Sequence, residues 1–118
     1  ILLSGLKLYH ETTGDEAVAD SIVKGADFLI NDMWVPEVVG FRYTSCPKTG
    51  VSRGGGFSMV SEGIAYAYRL SGKERFKDVL LTLMEAATQN IGFGKAISSN
   101  TRFTPHTLYD VEHYMIKV

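Results

Sequence analysis

The densest group of side chains able to do chemistry lies at Pro105-His106-Thr107-Leu108-Tyr109-Asp110-Val111-Glu112-His113. On a helix, His106, Asp110 and His113 are spaced by four and three residues and share one face. Leu108, Val111, Met115 and Val118 fall on the opposite, apolar face. Two imidazoles and a carboxylate on one stripe could take a divalent cation such as zinc. The three positions, however, span about 10 Å of helical rise. One ion with bonds near roughly 2 Å cannot reach all three without strain, so no metal site is assigned. General acid/base work or ligand contact suits His106, Tyr109, Asp110 and His113 better.

Glu62 is expected in the first turn of a helix, just after Gly54-Gly55-Gly56-Phe57. The helix dipole favours a carboxylate there whatever its function; a catalytic or ligand-binding acid beside a glycine-rich loop is the other reading. Arg53 and the triple glycine precede a helix start and could cradle an anion. The Lys-Ser/Thr of a phosphate loop is absent, and a hinge explains the glycines equally well. Arg42-Tyr43 and Arg102-Phe103 pair a guanidinium with a ring. Such a pair can hold a carboxylate bidentately and stack on a flat ligand face, or simply pack a loop onto the helices. Cys46 has no evident activating neighbour beyond Lys48. For His10 and Tyr68, packing is explanation enough; Trp34 most simply plugs a helix end, though an exposed Trp would suit stacking on a flat ligand face. Nothing in the sequence asks for a cofactor.

Composition narrows the classes. The chain has 118 residues, 12 Lys+Arg against 13 Asp+Glu, and a net charge of −1. A nucleic-acid binder would carry a basic patch or stripe, so that class is set aside. Uninterrupted apolar runs are far too short for a membrane span. The single cysteine excludes an internal disulfide and leaves the compartment open, a periplasmic or extracellular parent included. The chain opens without Met inside a helical pattern and stops at Ile116-Lys117-Val118 without a capping residue. It is therefore expected to be a segment of a longer protein, a single unit over 1–118.

The elements that must carry these residues come from a repeat. At an offset of 58, Gly5/Gly63, Gly14/Gly72, Glu16/Glu74 and Asp20/Asp78 are identical and Thr13 faces Ser71. Arg42-Tyr43-Thr44 and Arg102-Phe103-Thr104 echo one another in the loops, each followed by a proline. Thr13-x-x-Glu16 and Ser71-x-x-Glu74 fit a capping box. Behind each lies an apolar stripe at helical spacing: Val18, Ile22, Ala26, Leu29 and Met33, then Phe76, Val79, Leu80, Leu83, Met84 and Ala87. The expectation is all-α, with helices at 2–12, 15–34, 58–70, 73–90 and 105–117. The long loops 35–57 and 91–104 join them, the first with a short β-hairpin near Val38 to Thr44. Pro36 ends the second helix.

The pattern of Gly, aromatic or Ala, Thr/Ser-Gly, Glu, amphipathic helix and Gly-Phe-Arg-Tyr-like loop resembles the hairpin unit of the (α/α)₆ toroids, over about residues 2–114. These are the six-hairpin glycosidases with related polysaccharide lyases and sugar epimerases. The resemblance implies a toroid-like array with sugar at the mouth of a funnel. It implies catalysis by acids or a Tyr/His/Arg set, with Glu62, His106, Tyr109, Asp110 and His113 near the funnel and Arg42, Tyr43, Arg53 and Arg102 contacting an oligo- or polysaccharide. No catalytic residue follows by motif. The rival is a tetratricopeptide-like protein-binding scaffold, whose period near 34 residues is much shorter than the one here. Interior units of an array cover one another, so self-association through an uncovered apolar flank is also expected.

Overall fold

In the computed structural model, residues 2–46, 48–51 and 60–89 are described, the last three without their side chains. Helix α1 runs Leu2–Thr13 and α2 Glu16–Phe28, continued by a single π-helical turn at Leu29–Met33. A two-stranded antiparallel hairpin follows, β1 (Trp34–Val35) against β2 (Gly40–Phe41). Helix α3 spans Ser61–Ser71 and α4 Glu74–Gln89. The described chain is thus mostly helical with one small sheet. No described helix is long and apolar enough to cross a membrane. The expected fifth helix at 105–117 and the loop at 91–104 lie outside the described residues.

The two tight turns share their backbone closure and hydroxyl bonds, though not as the expected capping box. Gly14 (φ 67) and Gly72 (φ 68) adopt the left-handed conformation that glycine tolerates. Their amides donate to His10 O and Tyr68 O, which closes α1 and α3. Thr13 and Ser71 are therefore the last residues of the preceding helices, not caps of the following ones. Their hydroxyls donate back to Tyr9 O and Ala67 O and accept from the amides of Asp15 and Lys73. The cap of α2 is Asp15, whose Oδ1 accepts from the Ala17 amide at 2.9 Å. A glycine that ends one helix pushes the next cap downstream, which overturns the hydroxyl assignment.

The apolar stripes do face inward. Ile22, Ala26, Phe76, Leu80 and Leu83 are fully buried with Phe41, Ile64, Ala65 and Ala67. Val18, Leu29 and Met33 pack against this core from its edge. Helix α3 is the central element: every residue from Ser61 to Ala67 is buried. The hairpin falls earlier than expected, at 34–41 rather than 38–44. Pro36 opens a 3-10 turn (Pro36–Val38), and Val39 closes it at φ 49. Trp34 lies against Phe41 with ring centroids 4.9 Å apart, and Phe41 anchors the hairpin in the core. Beyond β2 the chain continues as a ribbon, with Arg42 bridged to Val51 and the Tyr43 amide donating to Gly50 O.

Leu3 ties three helices together. A Cβ added at Gly25 of α2 would lie 3.0 Å from its Cδ2, and one at Gly63 of α3 only 2.5 Å from its Cβ. Both glycines are notches for one leucine. The start of α4 meets the end of α2: Lys73 Nζ lies 2.7 Å from Asp27 Oδ2, and Arg75 donates to Asn31. A pure translation of one hairpin onto the next would instead set the tight turns at 13–16 and 71–74 side by side. The turns repeat, and the second of them packs beside the far end of α2.

Candidate functional site

The polar groups that α1 and α3 bring together form a seam between these helices. Glu62, in the first turn of α3, is buried, and both of its carboxylate oxygens are engaged. Ser4 Oγ donates to Oε2 at 2.8 Å, and Lys7 Nζ to Oε1 at 3.2 Å. Lys7 is buried as well, so the pair is an internal ion pair, with side chains only 10% exposed on each side. Helix position alone favours a carboxylate here. What fixes this one is the lysine and serine of α1.

One turn further along, His10 Nδ1 lies 2.6 Å from the Tyr66 hydroxyl, the imidazole standing edge-on to the phenol ring. Tyr66 is buried and His10 half-buried. Two cations lie near the same ring: Lys7 Nζ is 5.7 Å and Arg69 Cζ 5.4 Å from its centroid, within the range of cation–π attraction. The seam thus reads Ser4, Lys7 and His10 on α1 against Glu62, Tyr66 and Arg69 on α3. Among the described residues it contains one carboxylate, one hydrogen-bonded phenol–imidazole pair and two cations. Such a pair can pass a proton, and positive charge nearby stabilises negative charge that develops on the phenol oxygen.

Of the side chains that the sequence offered as catalytic, only Glu62 falls in the described residues. His106, Tyr109, Asp110 and His113 lie outside them, as do Arg53 and Arg102. Arg42 and Tyr43 stand on the ribbon beyond β2. Arg42 is half-buried, its amide donating to Met33 O at 2.8 Å. Tyr43 is 62% exposed, its ring lying over Gly50, so it does not serve to pack the loop onto the helices. Cys46 is exposed in the turn of this ribbon. Among the described residues, no three His, Cys, Asp or Glu side chains gather as metal ligands would.

Nothing in the sequence singles out four members of the seam (Ser4, Lys7, Tyr66 and Arg69), and packing accounts for His10 there. A signal did exist. The offset of 58 makes Ser4 and Glu62 repeat-mates, and repeat-mates on neighbouring helices are candidates for contact. The repeat pairs His10 with Tyr68, but its partner is Tyr66, two residues earlier and on a different face of α3. Compared with protein-family models, curated proteins and solved structures, the chain matches none.

Proposed function

We propose that this chain supplies two hairpins of a carbohydrate-active, toroid-like helical array, and that its chemistry is of the lyase kind, acting on uronic-acid polysaccharide. The observation that carries the reading is the 2.6 Å Tyr66–His10 pair between Lys7 and Arg69, in a seam with a single carboxylate among the described residues. Glycoside hydrolysis calls for two carboxyl groups set roughly 5–10 Å apart across the sugar. Elimination needs instead a base for the proton beside the uronate carboxylate and positive charge facing that carboxylate. The Tyr66–His10 pair takes the proton, the C–H electrons form a double bond, and the glycosidic C–O bond breaks. The proton then passes to the departing oxygen. Arg42 and the exposed Tyr43 add a guanidinium and a ring for a neighbouring sugar.

The test is a screen on uronic-acid and neutral polysaccharides of a protein that carries these hairpins within its array. Ultraviolet absorbance reads the unsaturated product, and Glu62→Gln and Tyr66→Phe are assayed beside the wild type. Uronate substrates should give the unsaturated product, with activity reduced roughly a hundredfold or more in Tyr66→Phe. Reducing ends without ultraviolet absorbance would make the protein a hydrolase. Absence of any cleavage or binding would end the carbohydrate reading.

A second reading has an observation of its own. Tyr66 is 2% exposed and both Glu62 oxygens are satisfied within the protein, as in a seam that only joins helices. On that reading the array is a scaffold for another protein. Tyr66→Phe would then alter stability and leave any binding partner's affinity unchanged.

A further inference from the structure

The tight turn is repeated, but the helices that enter it are not held alike. Helix α3 buries every residue from Ser61 to Ala67, whereas α1 buries only Lys7. The repeat-mates show the contrast: Lys7 stands where α3 has Ala65, and Leu8, 65% exposed, where α3 has Tyr66. Leu3 and Leu6 are the apolar anchors of α1, and both are only half-buried. To these α1 adds polar ties, Ser4 and Lys7 on Glu62 and His10 on Tyr66. A buried ion pair adds little net stability, because the desolvation of both charges offsets their attraction. At the far end of α1, residues 11–17 are all exposed, and Gly14 turns the chain at φ 67 with nothing within 4 Å of an added Cβ.

We propose that α1 undocks as a unit about Gly14 while α2, α3 and α4 keep their core, and that this opening bares Tyr66 and Glu62 to a ligand. In the docked state Tyr66 is 2% exposed and both Glu62 oxygens are held by α1, so a ligand has no open path to either. Undocking breaks the bonds of Ser4, Lys7 and His10 together, since all three stand on one helix. It leaves in place the core side chains of the other helices, Ile22, Ala26, Phe76, Val79, Leu80 and Leu83 among them. An element with few buried apolar side chains opens at a lower free energy than the whole fold. Freed from α3, a helix of 12 residues is only marginally stable in water, so α1 loses its amide protection as it leaves. The motion stands apart from the carbohydrate reading, to which it gives a route for the sugar to a buried phenol.

Native-state hydrogen exchange of the ¹⁵N-labelled full chain over low urea concentrations tests it, with Val79→Ala beside the wild type. Amides from Leu6 to Thr13 should exchange as one set, roughly tenfold or more faster than those of α3 and α4. Their urea dependence should be weaker, because a partial opening exposes less surface. Val79 belongs to the core that stays closed. Its truncation should speed exchange in α3 and α4 by roughly tenfold and leave α1 unchanged. Acetylation of Tyr66 by N-acetylimidazole, read by peptide mass, should proceed at the same rate in both proteins. Amides of α1 that share the urea dependence of α3 and α4, or that lose protection one by one from the helix end, overturn the proposal. So does acetylation of Tyr66 that rises with Val79→Ala, because the phenol is then reached only through global unfolding.

Discussion

Glu62 and Lys7 carry the clearest energetic statement at the scale of single residues. Two charges removed from water and held 3.2 Å apart stabilise the fold little as a pair, but each strands the other when deleted. Lys7→Met should cost about 3–5 kcal/mol in urea unfolding, while Lys7→Met/Glu62→Met together should recover most of that loss. A double variant no more stable than the single would mean that the pair is not the unit. The sequence made Glu62 visible because an acid in a first turn is a recognisable position. It did not reveal Lys7 or Tyr66, because the side of α1 that meets α3 depends on how the helices cross. Periodicity fixes which side of a helix is apolar; it does not fix which polar residues on its border meet across the gap.

Among the elements, the tight turns were the best-marked feature and still misled in one respect. Gly14 and Gly72 were aligned by the repeat, and both end a helix in the left-handed conformation. The hydroxyls beside them were given to the wrong helix, because Thr-Gly-Asp-Glu and Ser-Gly-Lys-Glu also satisfy a capping-box pattern until the glycine's role is known. Four of these glycines separate by mechanism. Gly14→Ala and Gly72→Ala should each lose about 1–2 kcal/mol through left-handed strain. Gly63→Ala should lose about 1–3 kcal/mol because the new methyl collides with Leu3. Gly5→Ala should gain roughly 0.5–1 kcal/mol. Thermal or urea denaturation of the four single variants gives the order. A destabilised Gly5→Ala, or a neutral Gly63→Ala, would contradict the assigned packing. The β-hairpin was anticipated a few residues late, since the alternation from Val38 to Thr44 continues on the ribbon after β2, while the pairing itself starts at Trp34.

At the scale of the whole molecule, the stripes on α2 and α4 foretold the part of the core that these helices supply, because each keeps helical spacing, but not the share of α3 and Phe41. Nothing in the stripes foretold that α4 would begin beside Asp27 and Asn31. Those contacts, made by Lys73 and Arg75 on partly exposed side chains, contribute little energy and leave no pattern in the sequence. The carbohydrate reading draws on both levels: the repeat that resembles toroid hairpins, and a seam whose phenol–imidazole pair and cations suit a uronate. Chemical-shift mapping of the ¹⁵N-labelled chain, titrated with a short oligouronate and in parallel with a neutral oligosaccharide of equal length, probes this most directly. The account predicts saturable shifts with the oligouronate alone, gathered at Lys7, His10, Tyr66 and Arg69 and at Arg42 and Tyr43. Equal shifts with the neutral sugar, or shifts confined to the outer face of α1, would contradict it.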